Sequence, residues 1–234
     1  MGLNCGIVGL TGCGKTTLFN AFLRGRSSES QSSGKSNLGH IEVPDSRLDA
    51  IAAIVKPVKV VRTTVDIIDI PGLLKGSATQ KGAGLFLSEI RQTDAIIHVL
   101  RCFDNPMVPH PEGSVDPLRD KETVDLELIA KDIGTLEKKI QRLDKMARVG
   151  EKDAVKGLSI LNALLEHFEN GEPARNFAVD EESKPYIDDC FFLTIKPVIY
   201  VCNVDEASAV SGNVHTDKVK PAIEKEGAEM ILIA

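Results

Sequence analysis

The sequence predicts an α/β fold, a mostly parallel sheet with helices on both faces, carrying an inserted α-helical coiled-coil hairpin. Three observations lead there. Short β-branched runs alternate with helical patterns along the chain. The first of these runs leads directly into a glycine-rich loop and a helix, and a long polar stretch in the second half carries apolar residues at heptad spacing.

The strand-like runs lie at 4–8, 65–70, 95–100, 198–203 and 229–233. They are nearly continuous in apolar residues, as expected when helices cover both faces of a parallel sheet, and loops at their C-terminal ends then form the ligand site. Residues 122–169 read as helix, broken only near Val149-Gly150. Ile129, Ile133, Leu136, Ile140, Leu143 and Ala147 alternate in spacings of four and three, a coiled-coil seam. Leu158, Leu161, Leu165 and Phe168 repeat it, so the two arms should fold back and bury one seam against the other. Residues 122–172 are thus assigned to a helical arm, and residues 1–121 and 173–234 to the core domain. The Gly171-Glu172-Pro173 segment and the charged run 180–184 mark the return to that core. The Ser- and Gly-rich segment 24–39 reads as a long mobile loop.

The chain has 234 residues, 42% hydrophobic and 26% charged, which is ordinary globular usage with material for a sizeable core. A net charge of −6 argues against broad electrostatic capture of nucleic acid, so any RNA contact must be local. Cys5, Cys13, Cys102, Cys190 and Cys202 form no C-x-x-C pair and are expected to be reduced, the first, third and fifth of them buried in strands. No charged leader precedes the first strand and no apolar run reaches the length of a membrane span. A cytosolic, monomeric protein without membrane contact is expected. Gly6 occupies the place of the hydroxyl residue in a myristoylation signal, which is therefore dismissed.

Gly9-Leu10-Thr11-Gly12-Cys13-Gly14-Lys15-Thr16 fits G-x-x-x-x-G-K-[ST], directly after an apolar strand and before a helical run that begins at Thr17. In such a P-loop, backbone N–H groups curl around phosphate oxygens and the helix N-terminus adds partial positive charge. Lys15 would reach the β and γ phosphates, and Thr16 would ligate Mg2+. The ligand expected is a purine nucleoside triphosphate, ATP or GTP.

Asp69-Ile70-Pro71-Gly72 forms D-x-x-G at the end of a strand. Asp69 would hold the magnesium ion through water, and the Gly72 N–H would sense the γ-phosphate. Asp66 faces the opposite side by strand alternation and ranks below Asp69. Leu73 follows, where many GTPases carry the glutamine that orients water, and a leucine cannot do that. The polar, Gly-rich run at 75–84 is expected to reorder with nucleotide state.

Asn203-Val204-Asp205-Glu206 ends the strand at 198–203, where GTPases place N-K-x-D. A carboxylate in that position pairs with guanine N1–H and the 2-amino group, neither of which adenine offers. From chemistry alone the purine choice stays open.

These residues resemble the YchF or Obg-like ATPase family of P-loop proteins. Carrying the likeness are Cys5-Gly6-Ile7-Val8-Gly9, Thr17-Leu18-Phe19-Asn20-Ala21, Pro44-Asp45-Ser46-Arg47-Leu48, Ile54-Val55-Lys56-Pro57 and Asp69-Ile70-Pro71-Gly72-Leu73. His98-Val99-Leu100-Arg101-Cys102-Phe103 and Leu193-Thr194-Ile195-Lys196-Pro197 extend it towards the C-terminus. The resemblance implies a Ras-like G domain, ATP preferred over GTP, slow hydrolysis and association with ribosomes. It implies Asn203, Val204 and Glu206 at the base. It also implies that His110, in a flexible loop after Arg101-Cys102-Phe103, substitutes for the missing glutamine.

The sequence departs from the family in three places. Gly12 stands where an asparagine usually ligates a monovalent cation, which puts potassium stimulation in doubt. A Ser-rich segment replaces the usual switch sequence, with Ser33 nearest the missing threonine as a magnesium ligand. The chain also ends before the family's Ser-Ala base loop and TGS domain, and reads as a truncated form.

The arm carries Lys138, Lys139, Arg142, Lys145, Arg148, Lys152 and Lys156 among acidic residues. A solvated helical face accounts for them by default, with a ribosomal RNA or protein contact as the functional alternative. The expectation is a slow ATPase switch on a translation-related partner. Its rivals are a GTP-binding member of the same fold, a nucleotide-dependent binding module with negligible turnover, and a nucleotide kinase.

Overall fold

The computed structural model describes residues 2–23, 37–71 and 89–234. Among the described residues six strands form one sheet, β1 (Leu3–Val8), β2 (Asn37–Glu42), β3 (Thr64–Asp69), β4 (Ala95–Arg101), β5 (Val198–Asn203) and β6 (Glu229–Ile233), in the order β2-β3-β1-β4-β5-β6. Of these, β2 runs antiparallel, against β3, and the other four pairings are parallel. The five strands read from the sequence lie within one residue of their expected places.

The sixth, β2, takes its first three residues from the segment read as a mobile loop: Asn37, Leu38 and Gly39 pair with Asp69, Ile68 and Ile67. It is an edge strand, half polar, whose order comes from its hydrogen bonds to β3. A helix missing from the sequence reading, α2 (Ser46–Val55), follows it, capped by the Asp45 carboxylate on the Arg47 N–H.

Helix α1 (Lys15–Phe22) opens at Gly14 and buries Leu18 and Phe19 against one face of the sheet. Helix α3 (Pro117–Arg148) covers the other face at its start and leaves it at its end. Pro117 fits the first helical turn, where no intrahelical bond is lost, and Asp116 caps the Arg119 N–H. The helix therefore begins before residue 122, and Val124 and Leu128 pack with Val8, Ile70 and Ile96 in the sheet's own core.

Beyond that point α3 joins the arm. Ile129, Leu136 and Leu143 pack against Ala154, Leu161, Leu164 and Phe168 of α4 (Lys152–Glu169), after a turn at Val149-Gly150. The seam spacing is realised as an antiparallel pair. The run 180–184 does not end this unit: α5 (Lys184–Asp188) lays Ile187 into the same cluster, with Cys190 and Phe192. Residues return to the sheet at β5.

Two polar joints fix the arm's base. The Asp132 carboxylate, wholly buried, accepts from the Leu193 and Thr194 N–H groups and the Thr194 hydroxyl at 2.7–2.8 Å. Arg175 bridges Asp125 and Glu226 at 2.9 and 3.2 Å, tying α3 to the end of α6 (Val214–Lys225). Lys139 is nearly buried, bonded to the Tyr186 carbonyl at 2.5 Å and paired with Asp189, so it belongs to the fold and not to the solvated face. Arg148 and Lys156 are exposed and pair with Asp144 and Glu182. All five cysteines are free and buried. Among the described residues no helix is long and apolar enough to cross a membrane.

Candidate functional site

The loop 9–14 joins β1 to α1 at the C-terminal end of the parallel strands, the region where open α/β sheets bind ligands. Its path demands glycine. Gly14 has φ 102, and a Cβ there would sit 2.3 Å from Asn203 Nδ2. Gly9 has φ 147, and its Cβ would meet the Val99 carbonyl oxygen at 2.4 Å.

Lys15 is 7% exposed, and its Nζ donates to the Leu10 carbonyl at 2.8 Å, so the ammonium arches over the loop. Thr16 and Thr17 lie exposed on the first turn of α1. The Thr16 hydroxyl donates to Asp69 Oδ2 at 3.0 Å, joining α1 to the end of β3. These are two hard oxygen donors, suited to Mg2+ shared with phosphate oxygens. Burial raises the Asp69 pKa above the usual carboxylate value, opposed by the Thr16 hydroxyl and the Lys15 charge. Asp66 pairs instead with His40 on β2.

Asn203, at the end of β5, donates from Nδ2 to the Cys13 carbonyl at 3.0 Å, linking the tip of β5 to the loop 9–14. The Val204 side chain is buried with Cys202 and Leu232, so its main chain is the part open to a ligand. Glu206 is exposed at the start of a short 3-10 turn, and Asp205 caps that turn through the Ser208 N–H.

The His110 side chain is 4% exposed, and its Nε2 lies 2.8 Å from Asp120 Oδ2. Its loop passes beside the phosphate loop: a Cβ added at Gly12 would lie 3.5 Å from the Val108 side chain and 3.9 Å from the Pro109 carbonyl oxygen. Arg101 holds that loop through the Phe103, Asn105 and Val108 carbonyls. Sequence reasoning missed Arg101 and Asp120, whose roles rest on contacts with a loop that has no repeating pattern. Gly72, Leu73, Ser33 and the run 75–84 lie outside the described residues.

Three comparisons bear on this geometry. Residues 4–149 match the family described as 50S ribosome-binding GTPase. The chain is 43% identical over 235 residues to the ribosome-binding ATPase YchF of Haemophilus ducreyi, covering 99% of this chain and 64% of that protein. It is 42% identical over 239 residues to the Bacillus subtilis protein of the same name, covering 100% of this chain and 65% of its relative. The solved structure of the Schizosaccharomyces pombe YchF GTPase superposes with a TM-score of 0.81 at 30% identity, covering 99% of this chain and 65% of that one. The chain thus spans slightly less than two thirds of the length of these relatives.

Proposed function

We propose a function from one premise, that the chain belongs to the 50S ribosome-binding GTPase family of P-loop proteins, in its YchF branch. The reading best supported is an ATP-binding switch that hydrolyses the γ-phosphate slowly and works at the ribosome, in the cytosol and as a monomer. One observation carries it: the Lys15 ammonium and the Thr16–Asp69 oxygen pair converge on one glycine-bounded loop.

In this reading the loop 9–14 with Lys15, Thr16 and Thr17 cradles the triphosphate. Thr16 and Asp69 hold Mg2+, with Ser33 as a further ligand, and that ion would neutralise charge on the phosphates. Gly72 senses the γ-phosphate, and His110 acts in place of the glutamine that Leu73 displaces. Asn203 and Glu206 meet the base, Asn203 also bracing the loop at Cys13. Residues 122–172, with the joint that begins at Pro117, form the arm that docks on ribosomal RNA or protein.

Competition of ATP and GTP for a fluorescent nucleotide tests the purine choice. ATP is expected to displace it at lower concentration, and tighter GTP binding would turn the reading to a GTPase. A second reading, a nucleotide-dependent binding module without turnover, is favoured by the occupation of both His110 ring nitrogens. Phosphate release that stays at background with and without ribosomes would put it in place of the hydrolase.

A further inference from the structure

The surroundings of His110 carry more than its position. Glu112 N–H donates to His110 Nδ1 at 3.1 Å, so Nδ1 carries no proton and Nε2–H is the tautomer assigned by its bonding. That Nε2–H donates to Asp120 Oδ2 at 2.8 Å. Both nitrogens are engaged, and both side chains are 4% exposed. In this arrangement the imidazole has no lone pair or proton left for a water molecule.

Asp120 is itself fixed. It sits in the first turn of α3, and its other oxygen accepts from Arg119 Nε and Nη2 at 3.3 and 3.1 Å. Arg119 is held in turn by the Ser114 carbonyl at 2.6 Å and hydroxyl at 3.1 Å. A carboxylate braced by a guanidinium makes a stronger acceptor site than a neutral one, and its geometry is specific. The loop it retains passes close to Gly12, where an added Cβ would lie 3.5 Å from the Val108 side chain and 3.9 Å from the Pro109 carbonyl oxygen.

We propose that Asp120 is a positioning residue for γ-phosphate hydrolysis, holding His110 folded back with both ring nitrogens occupied, so that turnover waits on release of this contact. The proposal rests on the reading of His110 as the catalytic residue and deepens it. It accounts for slow hydrolysis by a withdrawn group, not an absent one.

The test is single-turnover ATP hydrolysis by the full chain with Mg2+, comparing wild type, His110→Ala, Asp120→Asn and the double variant. Asparagine keeps the size and an acceptor oxygen but removes the charge, and Asp120→Asn is expected to raise the rate about three- to tenfold. ATP affinity should stay within about twofold, because the residue is expected to act on the chemical step and not on binding. His110→Ala should lower the rate, and the double variant should match it. A rate for Asp120→Asn at or below wild type, with His110→Ala still slow, overturns the latch alone. An unchanged rate for His110→Ala removes the catalytic reading and the latch together. Nitrogen-15 NMR of wild-type His110 gives a check that needs no variant to fold: the Nε2–H tautomer supports the proposal, and a proton on Nδ1 overturns it.

Discussion

The Thr16 hydroxyl donates to Asp69 across 3.0 Å, and that single bond connects the first turn of α1 to the tip of β3. A hydroxyl and a carboxylate so placed can exchange their mutual bond for bonds to a cation, at a cost of about 1 kcal/mol for the bond released. Thr16→Ala is expected to leave folding nearly unchanged and to remove most of the gain in ATP affinity that Mg2+ gives over EDTA. Calorimetric titration in both media measures it, and an undiminished gain in the variant would contradict the pairing.

Asn203 serves two partners in the proposed complex, the base and the Cys13 carbonyl of the phosphate loop. Asn203→Ala should weaken ATP about tenfold, on the order of 1.4 kcal/mol. Gly14→Ala should be worse, because it combines a φ of 102 with a 2.3 Å approach to Asn203 Nδ2. Fluorescence titration separates the two, and equal affinities in both variants and wild type would remove Asn203 from the site.

Much of this was legible along the chain. The β-branched runs located five strands because most of their residues are apolar and β1, β4 and β5 lie in the buried middle of the sheet, and the spacing from Ile129 to Ala147 located the arm because its seam meets α4. The phosphate loop is a contiguous motif, so its residues could be read in order. The edge strand β2 was hidden because its stability comes from β3, not from its own residues. The pairs His110–Asp120 and Asn203–Cys13 were hidden for the same reason, being products of packing; the second spans 190 positions. Asp132 gave no signal either, a lone carboxylate between seam residues whose three donors come from 61 and 62 positions downstream.

That buried carboxylate makes a stability prediction. Asp132→Ala leaves two backbone N–H groups and a hydroxyl without their acceptor, which should cost on the order of 3 kcal/mol. Urea unfolding should show a lower midpoint at unchanged slope. A loss below about 0.5 kcal/mol, within the range of an ordinary surface change, would mean that this joint does not hold the arm.

His98 sets a pH dependence. It is buried beside Tyr200, its Nε2 has no hydrogen-bond partner, and burial lowers its pKa from 6.5 to about 3. Asp125 opposes that shift, while Lys121 and Arg175 add to it. A depressed folded-state value means that the unfolded chain takes up the proton first. Stability from this residue is complete above pH 6.5 and is lost as pH falls towards 3. Between pH 6.5 and 5 the loss should be about 2 kcal/mol. His98→Phe should flatten that part of the melting-temperature profile, and an unchanged slope in the variant would assign it to other groups.

The central claim is that the ammonium of Lys15 and the amides of its loop grip a triphosphate. Isothermal titration of the full chain with ATP and Mg2+ measures this directly. The wild type should bind one equivalent, and Lys15→Ala should bind about a hundredfold more weakly, on the order of 3 kcal/mol. A folded wild type that releases no heat, or a Lys15→Ala variant with wild-type affinity, would contradict the account.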